Sequence, residues 1–298
     1  MIKIGILTQD PPETDNTLLM FKTLEEKMNI KTYAFDPKFL SLYCPNLEKG
    51  KTIYYKGKKH TIDILMPRIS GEINQNEFLL SINAMDYIRN HTDIKVINYT
   101  KGMLIANDKF WQGEYVASKG YKIPRSVLIS NKEAVDQVLQ EFEYPLVIKQ
   151  QFGYGGEGVA IVESERSARS VITSFLSHRI PIMIQEFLPD EKYGGTDYRV
   201  YVIGGKAHGG IIRRAKQGDF RANVNLGGSK KHFKVSKDLA NTAVDIAQLV
   251  GLEIAAVDFL LYKDEYYFLE INKSPAMKKD PKLAEIILQY AKDRVKTK

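Results

Sequence analysis

The chain has one cysteine (Cys44), one tryptophan and five histidines in 298 residues. A single thiol excludes an internal disulfide framework and fits a reducing compartment. His60, His91, His178, His208 and His232 are scattered without metal-ligand spacing and read as surface or structural residues. There is no catalytic-cysteine signature and no convincing Ser/His/Asp set, which leaves covalent catalysis without a candidate nucleophile. No window approaches the roughly 20 apolar residues that span a bilayer. The N-terminal apolar run is too short for a signal peptide, and an acidic turn follows it. The expectation is a soluble cytoplasmic protein without a membrane partner. Internal repeats and low-complexity tracts are absent too.

The charge balance is basic, at +7. Such a surface steers nucleic acid, acidic lipid or small anions, or it merely solvates the fold. The densest basic stretches, 56–60 and 230–234, lack the length and aromatic interleaving of a nucleic-acid site. No direct nucleic-acid binding is expected.

An α/β organisation follows from the hydrophobic periodicity. A buried strand at 2–7, a helix at 18–28 and a strand at 31–35 make a β-α-β start on a parallel sheet. A hairpin turns at Lys56-Gly57, a strand ends near Pro67-Arg68, and a helix at 76–90 precedes a short strand at 95–98. Beyond Asn98 the pattern predicts one helix over 103–119, stopped by Gly120, and then a helix at 132–141. Strands are expected at 126–129, 145–150, 159–162 and 182–187, with a helix at 165–177. A strand-rich stretch reaches Lys234; a helix at 238–249, a strand pair within 255–272 and a helix at 282–292 close the chain.

Four segments carry chemistry. In the first, a buried strand delivers Lys149 just before Gly153, Gly155, Gly156 and Gly158. Glycines at that density let backbone N–H groups approach a polyphosphate. No Gly-Lys-Ser/Thr closes a Walker loop, and a strand stands where a Rossmann fingerprint needs a helix. A flexible hairpin tip is the plain alternative. The second, Ile182-Met-Ile-Gln185-Glu186-Phe187-Leu188, suits an adenine slot, with backbone groups for the purine edge and apolar side chains for the ring. Alone it reads equally as a strand leaving the core.

The third runs from Asp197-Tyr-Arg199 through Arg213-Arg214-Ala-Lys216 to Arg221-Ala-Asn223 and Gly227-Gly228. Arginines there can hold phosphates or carboxylates bidentately, and a basic edge strand is the alternative. The fourth is the most informative. If a hairpin is centred on Asp264, Asp258 and Glu270 are directly opposite, and Asn272 shares the face of Glu270. Two facing carboxylates repel unless a cation sits with them. Two carboxylates and an amide suit Mg²⁺, which takes few protein ligands beside phosphates and water, and a pair of acids on a solvated sheet face is the alternative.

Taken together and in this order, the segments resemble the ATP-grasp superfamily, and within it the RimK-type α-L-glutamate ligases. The similarity runs from about residue 66 to Asn272 and is strongest after Asn98. Arg213-Arg-Ala-Lys-Gln-Gly-Asp-Phe-Arg221-Ala-Asn223 is similar to the family's Arg-Arg-Ala-Lys-Glu-Gly-Asp-Phe-Arg-Ser-Asn, departing at Gln217 and Ala222. Glu270-Ile-Asn272-Lys-Ser274-Pro275-Ala276 is similar to Glu-x-Asn-x-Ser-Pro-Gly, with Ala276 and then Met277 departing at the amino-acid pocket.

The resemblance implies an ATP-grasp fold in three parts: an N-terminal open parallel-sheet domain over 1–98, a central lid over 99–185, and a C-terminal antiparallel-sheet part over 186–298. By similarity Lys109 and Lys149 contact phosphates, the glycines close over them, and Gln185, Glu186 and Phe187 hold the adenine. Asp197, Arg199, Arg221 and Asn223 belong to the nucleotide shell, and Arg213, Arg214 and Arg221 act on the reacting anions. Asp258, Glu270 and Asn272 hold Mg²⁺ or Mn²⁺, two ions in all. Arg68, with Ser70, shapes the acceptor side. The implied reaction joins an amino acid, L-glutamate first, to a protein C-terminus, a peptide or a small carboxylate through an acyl phosphate. Alternatives are a D-alanine–D-alanine-type or glutathione-synthetase-type ligase, or an ATP-binding module without catalysis. A homo-oligomer also fits the resemblance.

Overall fold

A computed structural model describes all residues except 11–14, 45–49, 70–73, 154, 157, 190–194, 217–226, 276–279 and 298. The chain opens with β1 (Ile2–Leu7), α1 (Asn16–Met28) and β2 (Ile30–Phe35). Asp15 caps α1, its carboxylate accepting from the Thr17 and Leu18 amides, and Asn29 ends the helix at φ 51°. A small antiparallel sheet follows, β3 (Leu40–Ser41), β4 (Thr52–Tyr55) and β5 (Lys58–Thr61). Its hairpin turns on Lys56 and Gly57, both at positive φ. The second strand of that hairpin ends at Thr61. A new strand, β6 (Ile64–Pro67), joins the parallel sheet beside β1. After α2 (Gln75–His91) and β7 (Lys95–Val96) that sheet has the order β2-β1-β6-β7.

The helix expected over 103–119 is two helices, α3 (Thr100–Asn107) and α4 (Lys109–Ala117). Asp108 makes the break: its Oδ1 accepts from the Phe110 and Trp111 amides, and its Oδ2 from Gln151 Nε2. An Asp in extended conformation that caps the following helix ends the preceding one, although the apolar period runs through both. Next come β8 (Ser126–Ile129), α5 (Val135–Leu139), β9 (Leu146–Gln150), β10 (Val159–Val162), α6 (Glu165–Ser177) and β11 (Ile182–Glu186). Their antiparallel sheet has the order β10-β9-β11-β8. A separate apolar core, built from Ile148, Ala168, Ile172, Ile184 and their neighbours, lies under it.

The third sheet comprises β12 (Thr196–Ile203), β13 (Lys206–Arg214), β14 (Ser229–Phe233) and the pair β15 (Ile254–Tyr262) and β16 (Glu265–Asn272). Its order is β14-β13-β12-β15-β16. Two helices complete the chain, α7 (Lys237–Val250) before β15 and α8 (Pro281–Lys296) at the end. Strand alternation divides this sheet between two cores. Val200, Val202, Val257 and Phe259 pack with α7, α2, α3 and α4. Tyr201, Ile203, Ile211 and Ala256 pack with α8, α1 and the parallel sheet. Both cores draw on the N-terminal and the C-terminal sheet, so these two share their buried surface.

Asn98 fastens that union. It is buried at φ 63°, its Oδ1 accepts from the Glu253 and Ile254 amides at 2.8 and 2.9 Å, and its Nδ2 donates to the Ile254 and Lys273 carbonyls. Gly102 permits a second close approach: a Cβ there would lie 2.6 Å from the Val250 carbonyl oxygen.

Candidate active site

The face of the third sheet that is apolar under α8 turns ionic at its other end. Ile203 and Tyr201 on β12 are followed on the same face by Arg199 and Asp197, Ile211 on β13 by Arg213, and Ala256 on β15 by Asp258. Asp258 is fully buried. Arg199 grips it bidentately, Nε to Oδ1 and Nη2 to Oδ2, both at 2.7 Å. Arg213 Nη2 donates to the same Oδ2 at 2.6 Å while its Nε and Nη2 hold Asp197 at 2.6 and 2.7 Å. Burial opposes ionisation of Asp258, but the guanidiniums of Arg199 and Arg213 overcome it and hold its pKa down to about 2. At Asp197 burial prevails: with the Asp258 charge it lifts the pKa to about 6 against the pull of Arg213.

Asp258 does face Glu270, as the hairpin argument required, though by another route. The turn falls on Lys263 and Asp264, both at positive φ, pairing Tyr262 with Glu265. A bulge opposite Asp258 and Phe259 then shifts the register by one residue and brings Glu270 back to Asp258. Asn272 Nδ2 lies between the two acids, 3.2 Å from Asp258 Oδ2 and 3.3 Å from Glu270 Oε1. Two arginines thus supply the positive charge that the facing carboxylates need. Arg199 and Arg213, expected on nucleotide and reacting anions, are committed to Asp258. Arg214 is exposed on the opposite face of β13 and does not join them.

Two lysines come within electrostatic reach of Glu270. Lys149 is buried on β9, its ammonium donating to Gln185 Oε1 at 3.0 Å. Gln185 Nε2 in turn donates to Ser126 Oγ at 2.8 Å. Lys109, the first residue of α4, donates to the Gly153 carbonyl at 2.6 Å. A cation at a helix N-terminus works against the helix dipole, so stability does not explain its place. Burial foremost, then the Lys109 charge, pushes Lys149 down to about 8, with Glu270 pulling the other way. Burial lowers Lys109 as well, again against Glu270. Among the described residues neither lysine has an ion pair.

Of the glycines, Gly155, Gly156 and Gly158 have φ of 69°, 86° and 65°. At Gly158 a Cβ would lie 2.8 Å from the Gln150 side chain, so the position needs glycine twice over. Glu186 accepts from the Arg125 amide at 2.7 Å, and Phe187 follows it, half-buried. Arg68 Nε lies 3.2 Å from Asp15 Oδ2, and its Nη1 donates to the Ser274 carbonyl at 3.0 Å. That places Arg68 beside the loop after β16, at the carboxyl end of the parallel strands, where such sheets bind ligands. Arg221, Asn223, Gln217 and Ala222, as well as Ser70, Ala276 and Met277, lie outside the described residues.

Three contributors escaped the sequence reading. Gln112 on α4 is buried and accepts from the Ile271 amide at 2.6 Å, locking β16 in place. Asn107 ends α3 and accepts from Lys273, whose ammonium burial pushes down to about 8. A lone polar residue inside an amphipathic helix gives no signal of its own. Lys273 was visible only as the variable position of the Glu-x-Asn-x-Ser-Pro motif.

A model described as the RimK-like ATP-grasp domain matches residues 106–291. The chain belongs to the RimK-like ATP-grasp family. It is 32% identical over 280 residues to a protein named "Probable alpha-L-glutamate ligase" from Thioalkalivibrio sulfidiphilus (strain HL-EbGR7), covering 93% of this chain and 89% of that one. A protein of the same name from Vibrio vulnificus (strain YJ016) is 30% identical over 240 residues, 80% of this chain and 77% of the other.

Solved ATP-grasp structures share the fold at lower identity. The macrocyclase MdnC from Microcystis aeruginosa MRC, bound with precursor peptide MdnA, superposes with a TM-score of 0.71 at 18% identity, covering 98% of this chain and 100% of the other. The D-alanine–D-alanine ligase from Coxiella burnetii does so with 0.70 at 12%, covering 99% and 95%. This RimK-like protein is therefore a carbon–nitrogen ligase of ATP-grasp fold, with mixed parallel and antiparallel sheets. No helix among its described residues is long and apolar enough to cross a membrane.

Proposed function

We propose that the protein uses Mg·ATP to join L-glutamate to a carboxylate acceptor, a protein C-terminus, a peptide or a small acid, through an acyl phosphate. One observation carries the reading: among the described residues Lys109 and Lys149 are held by neutral oxygens alone, within electrostatic reach of Glu270. Ammonium groups kept desolvated without a carboxylate partner are poised for an anion that arrives later, and a polyphosphate satisfies both. The names of the curated relatives supply the glutamate, and a related ATP-grasp ligase, PsnB, has been solved with precursor, Mg and ADP.

The fit of a metal rests on the donor set. Among the described residues no group of three or more His, Cys, Asp or Glu gathers. Two carboxylates and one amide do, which matches the few protein ligands Mg²⁺ takes when phosphates and water complete its shell. Turning the Asn272 amide over exchanges donor for acceptor at the same point. Glu270, partly exposed, and Asn272 with Asp258 would hold the ion, which screens the phosphate charge during attack.

The protein's own groups do the rest. Lys149 and Lys109 bind the phosphate chain, and the glycines admit it to their backbone. Gln185, Glu186 and Phe187 border the adenine, and Arg68 faces the acceptor. The acceptor carboxylate oxygen bonds to the γ-phosphorus as the bond to ADP breaks. The glutamate amine then bonds to the acyl carbon, inorganic phosphate leaves, and an amide remains. Arg199 and Arg213 fix Asp258 as an anion throughout. We infer the working division 1–98, 99–185 and 186–298, with nucleotide between the last two, a division supported by the separate apolar core of β8–β11. The lid keeps water from the acyl phosphate.

The test follows ADP release with each amino acid and a panel of acceptors, and reads product masses after incubation with Mg·ATP, glutamate and a cell extract. A glutamate-dependent mass increase of an acceptor supports the reading. Absence of any amino-acid-dependent turnover sinks it, and turnover with D-alanine alone moves the protein to the other ligase branch.

A further inference from the structure

Lys273 belongs to the site, but none of the ligand roles above falls to it. It follows Asn272 directly at the end of β16, and its ammonium donates to Asn107 Oδ1 at 2.8 Å. On another side the ammonium lies 5.0 Å from the centroid of the Phe78 ring. Asn107 is itself tied to α2, its Nδ2 donating to Gln75 Oε1 at 3.3 Å. Two helices therefore fix a cation using an amide and an aromatic face, and neither neutralises its charge. Among the described residues Lys273 has no ion pair, which makes it the third ammonium here held without one.

The three are arranged in sequence. Asn107, which accepts from Lys273, lies two residues before Lys109, and the Lys109 amide donates at 3.0 Å to the carbonyl of Gln151, two residues beyond Lys149. Lys109 stands between them. The Lys149 end of this row lies at Gln185, beside the strand that leads to Glu186 and Phe187. The Lys273 end lies against α2 of the N-terminal sheet, on the loop that also carries Ser274 and touches Arg68. A triphosphate entering from the Gln185 end meets Lys149 first, Lys109 next and Lys273 last.

We propose that Lys273 binds the terminal phosphoryl group of ATP, the one transferred, at the point where the acceptor meets it. This rests on the nucleotide reading above and adds a residue and a phosphate position to it. Lys273 reaches a nucleoside triphosphate and not a diphosphate, so it senses whether the γ-phosphoryl is present and releases its hold once that group has moved.

Calorimetric titration with Mg²⁺ and either ADP or the non-hydrolysable AMP-PNP separates the possibilities, using the full chain and its Lys273→Met, Lys273→Gln and Lys149→Met variants. Lys273→Met is expected to weaken AMP-PNP about tenfold and to leave ADP within about twofold, the difference of one charged contact. Lys149→Met is expected to weaken both nucleotides. Lys273→Gln keeps a donor for Asn107, so it gives the same answer if the methionine variant does not fold. Unchanged AMP-PNP affinity in a folded Lys273 variant, or an equal loss for both nucleotides, overturns the assignment alone. Failure of the unaltered protein to bind either nucleotide overturns the nucleotide reading with it.

Discussion

Arg199 and Asp258 sit directly across from each other on β12 and β15, joined by two parallel hydrogen bonds of 2.7 Å. A second guanidinium, from Arg213, shares the same carboxylate, so the acid proposed as a metal ligand is also the hub of a buried ionic cluster.

Removing the charge of that hub takes the bidentate partner from Arg199 and leaves Arg213 with Asp197 alone. Asp258→Asn is expected to destabilise the protein by about 3–5 kcal/mol, the range for breaking a buried ion pair from one side. Urea unfolding measures it. ADP formation should fall at least 100-fold even at temperatures where the variant stays folded. A stable, active variant would contradict both roles.

Lys149 illustrates the opposite sign. Its pKa is lowered from 10.5 to about 8, so between these values the unfolded chain binds the proton that the folded one has lost. Stability of the nucleotide-free protein should therefore rise as pH climbs from about 8 to about 10. Nucleotide affinity should fall over the same interval, because phosphate needs the ammonium. Lys149→Met is expected to match or exceed the unaltered protein in thermal stability at pH 7 while losing ADP binding. Melting curves and titrations from pH 7 to 10 check both trends.

Gly102 sets helix propensity against packing. An exposed Gly→Ala change in a helix stabilises by roughly 1 kcal/mol. Here the added Cβ would meet the Val250 and Gly251 carbonyl oxygens at 2.6 and 2.9 Å. Backbone cannot step aside as a side chain does, so Gly102→Ala is expected to destabilise by about 1–3 kcal/mol. The sign of the change in chemical denaturation decides it.

Asn98 joins the end of the parallel sheet to the start of β15. Asn98→Ala both strains a left-handed backbone and leaves two buried amides without an acceptor, for about 2–4 kcal/mol. Asn98→Gly relieves only the strain, so it should recover part of that loss and not all of it. Equal stability of the two variants would show that the backbone strain contributes nothing, and an Asn98→Gly variant as stable as the unaltered protein would show that the hydrogen bonds contribute nothing.

The periodic segments of the fold were legible in the sequence because period-2 and period-3.6 patterns report burial directly. The parallel opening sheet, the helices α1, α2, α6, α7 and α8 and the closing hairpin all follow from them. What stayed hidden was set by single side chains acting on backbone. Asp108 splits α3 from α4 through two hydrogen bonds that no apolar pattern encodes. The Asp258–Glu270 pairing was reached from a hairpin centre that the turn does not use, and a bulge restored it. Two facing acids implied a cation; that Arg199 and Arg213 supply it depends on the order of β13, β12 and β15, which is a long-range property. Lys273 was legible as a residue but not as a site, since its meaning comes from Asn107 and Phe78 on other elements.

The core under β8–β11 is separate, whereas the other two sheets share theirs. Heat should therefore not melt this chain in one step. The N-terminal and C-terminal sheets must lose their order together, because each is the other's interior. The β8–β11 layer can come apart alone, leaving the Asp258 cluster intact. Changes that loosen the β8–β11 core would thus appear first as altered retention of the proposed nucleotide, and those that loosen Asn98 or Gly102 as loss of the whole protein.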